Sequence, residues 1–318
     1  MSVFSLRRAV LGLACASAAL LAACGASSVE SQLNPSRIIG FGDAFSVVTP
    51  GASYTVNDSA SGVVTTWIAQ LAKNYGVALN TSLVFAQGNA RISSTVDAAG
   101  GSNAPIKVQI DNFLASNTLG ANDLVVLNGG ISDIVADMVA SGTTANATQY
   151  GKDLGAQVKR LVDAGGKYVA VVGTYNLGRS PWANALGKTA ELEQASLDFN
   201  IALKVYLQSQ NLASNVRYVE AEAYFNNLSG SEYTNYGFSN KTDLACASVD
   251  SAAGIGTGAG QVNSSLCDPS KLNPAIVANS AGVTYDQYLF ADRLYFTPRA
   301  QRLFGDQAYN FLHGSNGF

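Results

Sequence analysis

The sequence holds one histidine, His313, in 318 residues. Most zinc sites and most acid–base catalysis near neutral pH draw on imidazole, so both are hard to assemble here. Charge is also scarce: 13% of residues are Asp, Glu, Lys or Arg, against about a quarter in ordinary globular chains. The formal net charge is −3 and no basic block occurs, which leaves nothing to neutralise a phosphate backbone and excludes nucleic acid as a partner. Hydrophobic residues make up 47% of the chain, enough for a substantial core and too many for a disordered protein.

The chain opens with an address. Arg7 and Arg8 form a short basic segment, an apolar and small-residue run follows to Ala23, and Leu21-Ala22-Ala23-Cys24 ends it. The run is too short for an ordinary spanning helix. It resembles the signal peptide and lipobox of bacterial lipoproteins, which implies cleavage before Cys24, acylation of that cysteine and stable anchoring by several acyl chains. Gly25 after the cysteine favours the outer membrane by the same resemblance. Residues 1–23 are thus read as signal peptide, 24–36 as a tether and 37–318 as a single domain. An ordinary secretory signal is the alternative.

Cysteine usage agrees with export. Cys15 leaves with the signal and Cys24 carries lipid, so Cys246 and Cys267 remain as one even pair in an oxidising compartment. A disulfide between them would close a loop of about 22 residues, worth roughly 3 kcal/mol in the chain-entropy account; two free thiols are the alternative. The chain beyond residue 23 carries 17 basic and 22 acidic residues, a net of −5.

Short runs rich in Val, Ile and Tyr alternate with stretches of helical period, the pattern of a parallel α/β sheet. Five strands are expected: Arg37–Phe41, Ser82–Ala86, Asp123–Leu127, Tyr168–Val172 and Val216–Val219. Helical stripes run through Trp67, Leu71 and Tyr75; Ile110, Phe113 and Leu114; Leu154, Val158, Leu161 and Val162; and Leu192, Phe199, Leu203 and Leu207. A last helix is expected from Pro298 to Leu312, with Thr297 as N-cap and proline at its first position. Segment 222–287 has little periodicity and is read as a long loop insertion containing both cysteines. Its glycine run at 254–260 imitates a dinucleotide fingerprint, but no strand precedes it and no helix follows, so no cofactor is expected.

At the end of the first expected strand stands Gly40-Phe41-Gly42-Asp43-Ala44-Phe45-Ser46. This resembles the first signature block of the SGNH/GDSL hydrolases, esterases and lipases whose nucleophilic serine follows Gly-Asp at a strand-to-helix turn. Here Ala44 takes that place. Phe85–Arg91 (FAQGNAR) resembles the second block, whose glycine, here Gly88, helps form the oxyanion hole. Asp123–Asp133 (DLVVLNGGISD) resembles the third, with Ser132 where the family has an oxyanion-donating Asn. Tyr288–Thr297 (YLFADRLYFT) resembles the last, Asp-x-x-His-Pro-Thr. Asp292 and Thr297 match it, but Tyr295 replaces the histidine and Phe296 the proline.

The resemblance implies a flavodoxin-like, three-layer α/β/α domain with a five-stranded parallel sheet, and no cofactor or metal. It also implies that the ester-hydrolase chemistry is lost, because Ala44 offers no nucleophile and a tyrosine of pKa about 10 is a poor base at neutral pH. Either loss alone costs a triad on the order of a million-fold in turnover. Asp43 and Asp133 are expected to cap the helices after them, while Asp292 has lost its partner. His313 lies 18 residues past Tyr295 across a helix, roughly 20–27 Å away. The leading reading is a pseudohydrolase lipoprotein of the cell envelope that holds a ligand or partner, an acyl ester or a glycan, in the former active-site crevice. The alternatives are an active esterase with a non-standard nucleophile such as Ser46, and a structural protein whose crevice is filled by side chains.

Overall fold

The computed structural model describes residues 31, 33–278 and 282–318. The lipobox with Cys24, and the signal peptide before it, lie outside the described residues.

Four parallel strands form the central sheet in the order β1 (Arg37–Phe41), β2 (Asp123–Asn128), β3 (Tyr168–Val172), β4 (Val216–Val219). All six residues of β2 are buried, as expected of a parallel strand covered on both faces, and this is why its sequence reads as a continuous apolar run. Helices α1 (Trp67–Asn74) and α9 (Pro298–His313) pack together, as do α4 (Ala147–Asp163) and α6 (Thr189–Ser209). The second pair approaches closely because α4 presents Gly151 and Gly155: a Cβ on Gly151 would lie 2.3 Å from the Phe199 carbonyl oxygen, and one on Gly155 would lie 2.5 Å from the Tyr206 ring. The architecture is the three-layer α/β/α arrangement that the motif resemblance implies, built on the parallel sheet expected from the alternation of strand and helix patterns.

The fifth expected strand, Ser82–Ala86, is reduced to a single parallel bridge, Gly40 to Val84, with the Phe85 N–H donating to the Gly40 carbonyl at 2.7 Å. The cause is local. The Asn80 side chain accepts from the Ser82 N–H and winds Thr81–Leu83 into a 3-10 turn, so only the residues after it are extended. With this segment in second place the order is that of a flavodoxin-like sheet, and β1 marks the point where strand order reverses. Chains of this class bind ligands at that point, beyond the carboxyl ends of the strands.

Segment 222–287 is more ordered than its sequence suggests. Helix α7 (Ala221–Ser229) runs into it, β5 (Asn240–Leu244) pairs with β8 (Tyr288–Phe290), and β6 (Val249–Asp250) forms an antiparallel pair with β7 (Gln261–Val262). The glycine run at 254–260 connects β6 to β7, with Gly254, Gly256, Gly258 and Gly260 all at positive φ. Cys246 and Cys267 form a disulfide, around which Val56, Ala245, Ile276, Tyr288 and Ala291 build a small second core. Helix α9 begins at Pro298 as expected. The Thr297 side chain, however, does not cap it; its hydroxyl donates to the Tyr288 carbonyl oxygen at 2.6 Å.

Candidate functional site

The turn after β1 is held from three sides. Gly42 has φ 152°, and a Cβ there would lie 1.9 Å from Asn128 Oδ1, so a side chain is excluded. Its N–H donates to Gln109 Oε1 and its carbonyl accepts from Gln109 Nε2, both at 2.9 Å. Asp43 then caps a 3-10 turn, Ala44–Ser46, by accepting from the Phe45 N–H, and it also accepts from Asn128 Nδ2 at 2.6 Å. Burial pushes the Asp43 carboxyl up to about 6, opposed first by the Asn128 hydrogen bond and then by the N–H groups of Phe45, Ser132 and Ile131. The amide N–H groups at the start of α3 (Ile131–Ser141) therefore face Asp43 rather than open space.

Asp133 does not cap α3. Its carboxylate accepts from the Ile92 N–H at 3.1 Å and pairs with Arg91 Nε at 3.4 Å, tying the second block to the third. Burial dominates its environment and raises it to about 7 against the pull of Arg91. Ser132 is buried, and its hydroxyl has no partner among the described residues.

Asp292, unexplained in the sequence, has four donors. Oδ1 accepts from the Leu294 and Tyr295 N–H groups at 2.8 and 2.7 Å, and Oδ2 accepts from the N–H and hydroxyl of Ser264. The carboxylate thus closes its own turn and clamps the disulfide-bearing segment over the site. Burial raises it to about 6. Ser264 is a site residue that sequence reading missed, since it lies in an aperiodic stretch 28 positions away. It is fully buried, and the Ser264–Asp292 pair contains no imidazole to carry a proton from a serine hydroxyl.

Tyr54 is the other residue the sequence concealed. Its hydroxyl lies against Gly88, 1.7 Å from the position a Cβ on that glycine would take. Its ring meets Tyr295 edge-on at 5.3 Å. Burial, then the negative charges of Asp292 and Asp97, push the Tyr54 phenol up to about 12. Tyr295 is buried at 1% exposure; burial first, then the nearby carboxylates of Asp43 and Asp292, hold its phenol well above the ordinary tyrosine value, so it stays protonated and is no base. Its neighbour Phe296, at the proline position of the last block, stacks on Phe225 at 3.9 Å and on Phe290 at 5.0 Å. Tyr295 and Phe296 are thus part of an aromatic core.

The loop carrying Tyr54 is fastened to the disulfide segment by Asn57. Its N–H donates to the Cys267 carbonyl at 2.9 Å, and its side-chain amide donates to the Cys267 and Ser264 carbonyls at 3.1 and 3.3 Å. Asn89 Nδ2 donates to the Gly254 carbonyl at 2.7 Å from the opposite side. Ala44, Ser46, Ser132, Asp292 and Tyr295 are consequently all buried. Ala44, Gly88, Ser132, Asp292 and Tyr295 lie beyond the carboxyl end of the sheet, beneath a cover of Tyr54 and the disulfide segment. The Ser46 hydroxyl is buried with no partner among the described residues. His313 stacks on Tyr309 at 5.1 Å at the far end of α9.

No family model and no curated protein matches the chain. Among solved structures it is similar to a member of the lipolytic protein G-D-S-L family from Veillonella parvula DSM 2008, at 12% identity and a TM-score of 0.46, over 86% of this chain and 95% of that one. It is also similar to the acetyl xylan esterase AlAXEase, at 13% identity and a TM-score of 0.43, over 86% and 98% of the two chains. A third similar structure is Est24, a carbohydrate acetylesterase from Sinorhizobium meliloti, at 15% identity and a TM-score of 0.38, over 57% and 83%.

Proposed function

We propose that this chain is a pseudohydrolase on the SGNH/GDSL fold, an outer-membrane lipoprotein tethered through Cys24, that has given up ester hydrolysis and retains the crevice as a binding site. The observation that carries the reading is the joint state of the reactive positions. Ala44 has no nucleophile, Tyr295 is a buried and protonated phenol, and Tyr54 lies against Gly88. Backbone N–H groups need no particular side chain, so Ala44 and Gly88 can still address a carbonyl oxygen. An acyl or acetyl ester, including one on a glycan, would reach them by displacing the Tyr54 side chain.

The active-esterase alternative requires a hydroxyl within hydrogen-bond reach of a usable base. Ser46, its first candidate, has no partner among the described residues. The Ser264 hydroxyl does donate to Asp292 Oδ2, a fully buried pair without an imidazole, so the test includes that serine. Incubation of the mature chain with aryl acetates, butyrates and longer esters tests the reading. Turnover equal to the uncatalysed rate is expected. Hydrolysis above that rate that disappears in Ser46→Ala or Ser264→Ala would overturn it.

A further inference from the structure

Two open grooves adjoin on the face formed by α5 (Pro181–Leu186), β5 and the disulfide. They have volumes of about 270 and 500 Å³ and share Pro181 and Thr242. Arg179 and Lys241 line the first; Arg293, next in sequence to Asp292, lines the second. Lys241 is held in place by the Ser229 and Gly230 carbonyls at 3.1 and 2.8 Å. One acid, Asp243, lines the pair of grooves among the described residues, and it accepts from Asn240 at 2.7 Å.

The described residues include eight arginines. Four are ion-paired to aspartates, and two donate to backbone carbonyls. The remaining two, Arg179 and Arg293, make no side-chain hydrogen bond or ion pair among the described residues, and they are the two that line these grooves. In a mature chain with more acids than bases, an acidic partner would be easy to supply for both. A guanidinium presents a fixed fork of donors suited to carboxylate or phosphate. Between the cations the lining is largely apolar, with Pro181, Ala185, Leu244, Val249 and Val262 among it, and Asn184 and Thr242 offer an amide and a hydroxyl to sugar hydroxyl groups. The Asn273 side chain is engaged by the Leu244 carbonyl and the Ala275 N–H.

We propose that these adjoining grooves bind an acidic oligosaccharide, with Arg179 and Arg293 taking its anionic groups. The site stands apart from the Ala44 crevice and does not depend on whether that crevice is catalytically dead. It uses the shared chemistry of carboxylate and phosphate, and the probes separate the two sources. Calorimetric titration of the full mature chain would use hexagalacturonate for carboxylate, a phosphomannan oligomer for phosphate and cellohexaose as the neutral control. At least one acidic probe is expected to bind while cellohexaose does not. Arg179→Ala and Arg293→Ala should each weaken that binding about tenfold or more, whereas Lys167→Ala, outside the grooves, should leave it unchanged. Matched melting temperatures would show that the variants are folded. Failure of both acidic probes to bind above the neutral one, or binding that survives the double arginine substitution, would overturn the assignment.

Discussion

Asp43, Asp133 and Asp292 are fully buried carboxylates whose hydrogen bonds only partly offset the cost of burying charge. All three are raised above the ordinary carboxylate value, to about 6, about 7 and about 6. Between about pH 4, where the unfolded chain ionises, and pH 7 the folded state therefore binds more protons than the unfolded state. Stability must fall as pH rises through that window. Surface carboxylates such as Asp58 and Asp111, lowered by hydrogen bonds from Tyr285 and Arg160, act in the opposite sense but below the unfolded value. Thermal melts across pH 4–7.5 should show the decline, and Asp133→Asn should flatten it. Stability that is level or rising across this window would contradict the account of these sites.

Individual elements differ in how plainly the sequence announces them. Strand β2 is legible as a continuous apolar run buried on both faces, and helices α4, α6 and α9 because their apolar residues repeat at the helical period. Segment 82–86 misled because Asn80 imposes a turn, a side-chain effect that β propensity does not register. The cover over the site was not legible at all. Tyr54, Asn57 and Ser264 carry no periodicity, and they meet the motif residues only through long-range hydrogen bonds such as Ser264 to Asp292. The four motif segments lie at ends of elements whose order the sequence shows, so their place along the sheet was legible.

The disulfide between Cys246 and Cys267, 21 positions apart, closes the segment that carries Ser264, and Asn57 binds its last residue. Replacing both cysteines by serine should cost about 3 kcal/mol in chemical denaturation. It should also loosen the cover, seen as faster amide exchange at Asn57 and Ser264 than in the core strands. Exchange at those two positions unchanged from the parent would show that the hydrogen bonds alone hold the cover.

At the scale of the whole molecule, the sheet and its helices form a three-layer α/β/α domain. Ala44, Ser132, Asp292 and Tyr295 at the carboxyl end of the sheet are buried beneath Tyr54 and the disulfide segment. Phe296 joins the aromatic cluster around Phe225, Tyr295 packs on Tyr54, and Asp292 is held by Ser264 and its own turn. The one histidine of the chain lies at the far end of the last helix, stacked on Tyr309. Among the described residues no helix is long and apolar enough to cross a membrane.

The most direct test of lost hydrolysis is the intact mass of the mature chain after prolonged exposure to a fluorophosphonate that reacts with activated serine. The account predicts an unmodified mass, with no serine labelled. A stoichiometric adduct, at Ser46, Ser132, Ser264 or any other serine, would contradict it.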